Sequence, residues 1–224
     1  VTSAFLFGPI VPDGDAPRPY AYVDHHRVLD ASADEEGALL YRTLNHIEDV
    51  LRSRNYPFVN LSLGPDDAMV DGDVHAWTAV IDDFLSDGET MLAVAVGNNG
   101  GADESLGLHR VQIPADSVNA LSVGAADHQG QTWQCCGYSA RGPGRSPGRR
   151  KPDVVAYGGS AGDYFHVVAP GSTTALAPQL GTSFASPLAL RMAVGIRAVL
   201  GDEIKTLTTK ALLVHGAEPF DDDA

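Results

Sequence analysis

Basic side chains are scarce: 15 Lys and Arg stand against 29 Asp and Glu, a formal charge of -14 over 224 residues. With no basic surplus to displace the counterions of a phosphate backbone, the chain is not expected to take nucleic acid as a partner. The acidity reads either as a solubility device or as an acidic partner surface. Cysteine is nearly absent, and its only two residues, Cys135 and Cys136, are adjacent. Neighbours rarely reach disulfide geometry and zinc sites space their cysteines by two to four residues, so two free thiols are expected. No uninterrupted apolar run approaches the roughly 18 residues that span a bilayer, and Val1 to Pro9 lacks the basic flank of a secretory signal. Neither a membrane nor a leader is expected, while the compartment stays open because a mature secreted chain also lacks its signal.

What is present is enough for one core. Hydrophobic residues make up 44% of the chain, with no internal repeat and no linker, so residues 1–224 read as a single domain. Ser32 and Glu35 form a capping box, and Leu39, Leu40, Leu44, Ile47, Val50 and Leu51 recur at helical spacing as far as about Asn55. Phe58 to Leu63 is a short apolar run stopped by Gly64-Pro65, as a strand buried on both faces would be. Val74 to Leu85 shows a second helical face closed by Gly88, and Met91 to Val96 is another buried strand. Further on, Ala120 to Ala125 and His166 to Ala169 read as strands, Phe184 to Leu200 and Glu203 to Val214 as helices. Between them Ser139 to Tyr157, rich in Gly, Pro and Arg, reads as a surface loop. Alternating helices and continuous apolar strands predict an α/β fold around a parallel sheet covered on both faces.

Open parallel sheets place ligands beyond the carboxyl ends of their strands, which draws attention to two segments. Gly181-Thr182-Ser183-Phe184-Ala185-Ser186-Pro187 puts a serine at the mouth of a long apolar helix, where free N–H groups favour developing negative charge. Ser183 is there a candidate nucleophile; equally, Thr182 or Ser183 caps the helix with Pro187 in its first turn. Ala95-Val96-Gly97-Asn98-Asn99-Gly100-Gly101 ends a buried strand in amides and glycines. Asn98 could donate to an oxyanion, although Asn-Gly clusters are also ordinary turn chemistry. A dinucleotide loop is the rival reading, and the spacing lacks G-x-G-x-x-G.

Taken in order, Asn60-Leu61-Ser62-Leu63-Gly64, Ala95-Val96-Gly97-Asn98, Ile113-Pro114-Ala115, Leu121-Ser122-Val123-Gly124-Ala125, Tyr138-Ser139-Ala140-Arg141-Gly142-Pro143, Lys151-Pro152-Asp153-Val154, Val168-Ala169-Pro170-Gly171 and Gly181 to Pro187 resemble the subtilase family of serine proteases. The resemblance runs from Val1 to about Gly216, and its most specific motif is Gly-Thr-Ser-x-Ala-x-Pro. It implies a three-layer subtilisin-like fold and peptide-bond hydrolysis through an acyl-enzyme on Ser183, with Asn98 and the Ser183 N–H stabilising the oxyanion. It further implies that Ser62, Leu63 and Gly64 pair with the substrate backbone as an added strand, and that Ala95, Val96 and Gly97 wall the specificity pocket with Gln112 near its floor. The implied partner is a polypeptide substrate.

Departures from the family pattern matter as much. Subtilases carry Asp, His and Ser in that chain order, and neither the aspartate block nor His-Gly-Thr-x-Val occurs here. Val1-Thr2-Ser3-Ala4 resembles the tail of the histidine-bearing helix, which would put that histidine four residues before Val1. On this reading the chain is the C-terminal two thirds of a catalytic domain, inert or nearly so alone, and its missing N-terminal segment is a further partner. The alternative is a catalytically dead scaffold that binds peptides. His25 and His26 follow Asp24, yet Tyr20 to Leu29 resembles the strand after the catalytic helix. The other six histidines lack a carboxylate at diagnostic spacing. Calcium is common in the family, but Asp66 to Asp73 and Asp221 to Asp223 lack the D-x-D-x-D-G order, so no metal site is identified and solvated charge is the expectation.

Overall fold

A computed structural model describes residues 1–29 and 36–219. Four short strands, β1 (Phe58–Leu61), β2 (Met91–Ala95), β3 (Leu121–Ala126) and β4 (Val154–Tyr157), form one sheet in that order, with every neighbouring pair parallel. Helices α1 (Thr2–Phe7), α2 (Glu36–Ser53), α3 (Ala76–Phe84), α4 (Thr182–Leu200) and α5 (Thr206–His215) surround it. A separate antiparallel ribbon pairs β5 (Phe165–Val168) with β6 (Leu176–Gln179).

Two apolar layers follow from the period-2 alternation of the strands. In β2, Leu92 and Val94 face a core shared with Leu44, Ile47 and Leu51 of α2 and with Trp77 and Ile81 of α3. Met91 and Ala93 turn the other way, toward Ala185, Ala189, Leu190 and Ala193 of α4. Helices therefore cover both faces, the three-layer arrangement expected. Each fully buried aliphatic side chain in these layers stabilises the fold by about 1.5–3 kcal/mol relative to exposure. The small residues of α4 let its backbone approach the sheet, which brings the helix mouth close to the strand ends.

Several sequence expectations need correcting. Ser139 to Tyr157 is not all loop: Val154–Tyr157 is strand β4, paired with β3. Its pairing is secured from outside the strand, because the Asp153 carboxylate accepts from the Ser122 N–H at 2.7 Å and from its hydroxyl at 2.8 Å. Lys151, whose side chain is 3% exposed, completes the clamp at 2.9 Å from the same oxygen. Tyr20 to Leu29 forms no ladder; it is held by side chains, with the Tyr20 hydroxyl donating to the Arg191 carbonyl at 2.7 Å. Strand β1 ends at Leu61, leaving Ser62 to Gly64 beyond the sheet. Helix α4, 19 residues long, is by length and composition able to cross a bilayer, although Arg191 and Arg197 interrupt its apolar run. Its packing on β2, β3 and β4 makes it a core helix. The capping pair Ser32 and Glu35 and the acidic run Asp221 to Asp223 lie outside the described residues.

Candidate active site

The carboxyl ends of β1, β2 and β4 converge on the first turn of α4. Gly181 caps that helix with φ 142° and ψ 156°, a conformation that only glycine adopts readily. From it three successive amides diverge. The Gly181 N–H donates to the Gly158 carbonyl at 2.9 Å and to the Tyr138 hydroxyl at 3.1 Å. The Thr182 N–H donates to Asn98 Oδ1 at 3.0 Å, and the Thr182 hydroxyl reaches the same oxygen at 3.1 Å. The Ser183 N–H has no partner among the described residues.

Asn98 is exposed and follows β2 by three residues. An N–H can only donate, so the atom that meets Thr182 must be the carboxamide oxygen, and Nδ2 is turned the other way. Nδ2 has no hydrogen bond among the described residues. Nδ2 and the Ser183 nitrogen flank one point: they lie 3.5 and 3.8 Å from where a Gly181 Cβ would sit. Two unengaged donors thus stand side by side at a helix N-terminus, where the dipole favours negative charge. The Ser183 side chain is half-buried, and its hydroxyl bonds no described residue.

A second chain of contacts ties β1 to the same turn. Ser186 donates to Asn60 Oδ1 at 2.8 Å, Asn60 Nδ2 donates to the Ser62 hydroxyl at 3.0 Å, and Ser62 donates to the Ser183 carbonyl at 3.3 Å. Ser62 thereby belongs to the scaffold of the serine as well as to the segment read as substrate-binding. Leu63 and Gly64 make no backbone hydrogen bond among the described residues, so their polar groups are free to pair with an added strand. Gly64 abuts the Ile113 carbonyl, whose oxygen lies 2.0 Å from where a Cβ would project, which leaves no space for a side chain.

Opposite lies Ala95-Val96-Gly97, where Val96 is fully buried. Gly97, at φ 105°, is overlain by Gln112, whose Oε1 would stand 2.3 Å from an added Cβ. The Gln112 amide is held by Asp66 at 2.8 Å. Gln112 is therefore packed against Gly97, and its N–H donates to the Val96 carbonyl at 2.8 Å.

The histidines go elsewhere. His25 contacts the Thr2 hydroxyl at 2.9 Å, His26 the Tyr56 hydroxyl at 3.0 Å, and His46 the Val28 carbonyl at 3.3 Å. His75 caps α3 by accepting from the Trp77 N–H, and His128 pairs with Asp127 at 2.8 Å. No histidine is hydrogen-bonded to Ser183 among the described residues. No group of three or more His, Cys, Asp or Glu among them could hold a metal ion. A concavity of about 950 Å³ runs along the outer edge of β4 past Val154, Ala189 and Met192, and Ser183 is not among its lining residues.

Asn60, Tyr138, Thr182 and Ser186 acquire roles that sequence reasoning missed. All four stand inside the quoted motifs, so a signal existed. Its meaning depends on contacts between segments 43 to 126 residues apart.

The fold and this cluster define an α/β protein whose polar site lies at the carboxyl edge of a parallel sheet, around a serine at a helix mouth. The sequence profile of the subtilase family matches residues 27–224, and the chain belongs to that family. Subtilases are serine peptidases, which sets the general class. No curated protein sequence matches. Among solved structures the fold is similar to a PatG macrocyclase in complex with peptide, with a TM-score of 0.58, 18% identity, 80% of this chain covered and 48% of that one. It is also similar to the S41 psychrophilic protease, with a TM-score of 0.53, 24% identity, and coverage of 79% and 54%. The chain spans about half the length of these structures. At such identities the likeness speaks to the fold alone.

Proposed function

We propose that this chain supplies the nucleophile and oxyanion hole of a subtilisin-like serine endopeptidase. Ser183 attacks a peptide carbonyl to form an acyl-enzyme, and the tetrahedral oxyanion is received by Asn98 Nδ2 and the Ser183 N–H. The carrying observation is that Asn98 Oδ1 is tied to Thr182 while Nδ2 and the neighbouring Ser183 amide are unengaged. Donors held in place before reaction cost no reorganisation when the charge develops. The substrate is a polypeptide. Its backbone pairs with Ser62, Leu63 and Gly64, and a side chain lies against Ala95, Val96 and Gly97.

The general base and its acid partner are supplied from outside these 224 residues, by an upstream segment of the same protein. No calcium site is assigned. Without a base, Ser183 keeps its proton and only the small contribution of binding and oxyanion stabilisation remains. A second reading, a peptide-binding scaffold without catalysis, is favoured by the absence of any histidine bonded to Ser183 among the described residues.

A fluorophosphonate probe on the full-length gene product separates the two. Labelling and peptidase activity are expected, with Ser183→Ala removing the label and lowering turnover about 10⁶-fold. A full-length protein that binds peptide yet neither labels nor cleaves would establish the scaffold reading.

A further inference from the structure

The proton inventory around Gly181 singles out a residue with no catalytic chemistry of its own. The Tyr138 hydroxyl sits between two groups of fixed polarity. Gly159 offers a carbonyl, which can only accept, and the phenol donates to it at 2.7 Å. Gly181 offers an N–H, which can only donate, and the phenol oxygen accepts from it at 3.1 Å. One hydroxyl therefore joins the end of β4 to the cap of α4. Burial pushes the phenol's pKa well above its ordinary value, so it stays protonated and keeps this polarity.

The surroundings are cut to admit that contact. A Cβ on Gly158 would stand 2.6 Å from the Ala125 Cβ, 3.0 Å from the Gly181 carbonyl and 3.1 Å from the Tyr138 hydroxyl. Gly159, at φ 85°, would meet the Phe165 nitrogen at 2.7 Å. Two glycines thus let the phenol and the Gly181 backbone close on each other. Gly181 needs such support, because its φ of 142° lies where glycine has wide freedom. A small rotation there swings the Ser183 amide relative to the Asn98 carboxamide. Asn98 secures the Thr182 amide, and Tyr138 shares the one before it with the Gly158 carbonyl, which accepts from it at 2.9 Å.

We propose that Tyr138 is a positioning residue of the oxyanion hole, fixing the Gly181 pivot so that the Ser183 N–H and Asn98 Nδ2 point at one oxygen. The inference rests on the reading of Ser183 as nucleophile and Asn98 as oxyanion donor. Because the two donors act on charge that appears only in the transition state, loosening their geometry lowers kcat and leaves KM nearly unchanged.

The test is a double-mutant cycle on the full-length protein with Tyr138→Phe and Asn98→Ala, alongside amide hydrogen exchange on the 224-residue chain. Tyr138→Phe removes one oxygen and keeps the ring, and is expected to lower kcat about three- to tenfold at constant KM, the scale of one neutral hydrogen bond. Asn98→Ala should then cost less in the Phe background than in the native one, since a misdirected partner amide has less to lose. Additive losses, or a loss seen only in KM, would overturn the proposal. Exchange at the Gly181 amide should quicken in Tyr138→Phe while thermal unfolding moves by no more than a few degrees. Unchanged exchange overturns the clamp whatever the kinetics show. Faster exchange in a protein whose Ser183→Ala variant behaves like the native one means that the nucleophile reading has failed while the clamp stands.

Discussion

The mouth of α4 and the segment from Gly8 to Leu29 are built on opposite plans. Around Gly181 to Ser186 the amides of Gly181 and Thr182 are claimed by Gly158 just past β4, by Tyr138 and by Asn98 just past β2, and Asn60 of β1 accepts from the Ser186 hydroxyl. In the early segment Val11 is 70% exposed and Tyr22 fully so, and the chain is fastened by isolated side-chain contacts such as Tyr20 to Arg191. The first region commits several part-buried hydrogen bonds to one helix turn. The second leaves large apolar side chains such as Val11 and Tyr22 exposed among the described residues. The contrast is between a helix mouth whose polar groups are fixed by distant segments and a segment fastened at few points.

The sharpest way to break this contrast is Asn98→Ala in a catalytically complete protein. Turnover should fall about 10²- to 10³-fold with little change in KM, measured by steady-state peptide hydrolysis. Equal losses in kcat and affinity would place Asn98 in ground-state binding instead. Next in size, Gly181→Ala imposes a side chain at φ 142° beside the Asn98 amide, 3.5 Å away. About 1–3 kcal/mol of stability should be lost, read from urea unfolding. An unaffected midpoint would show that the pivot tolerates strain and that the helix mouth is softer than its hydrogen bonds imply. The smallest effect is expected in the early segment, where Tyr22→Ser removes a fully exposed ring. Stability of the 224-residue chain should move by less than about 0.5 kcal/mol. A larger loss would mean that this segment is packed in solution and that the two regions are less different than they look.

Several features were legible without coordinates. The continuous apolar runs announced the strands, and the apolar stretch from Phe184 to Leu200 announced a long helix. The ordered motifs announced the family, which the match over residues 27–224 bears out. Strand β4 was hidden because four apolar residues followed a long stretch of glycine, proline and arginine, and their pairing depends on Asp153 reaching Ser122. The Tyr20 to Leu29 strand was misjudged for the converse reason: β propensity without a partner edge makes no ladder.

What the amino-acid order determined by itself was therefore local: which stretches must be buried, where helices start and stop, and which residue types could perform acyl transfer. Tertiary structure decided the rest. Which way the Asn98 carboxamide turns depends on Thr182, 84 residues away, engaging its oxygen. What the Tyr138 hydroxyl bonds depends on Gly159 and Gly181 closing around it. Hydrogen bonds are short and directional, so their partners are chosen by the packing of distant segments, which sequence periodicity does not encode.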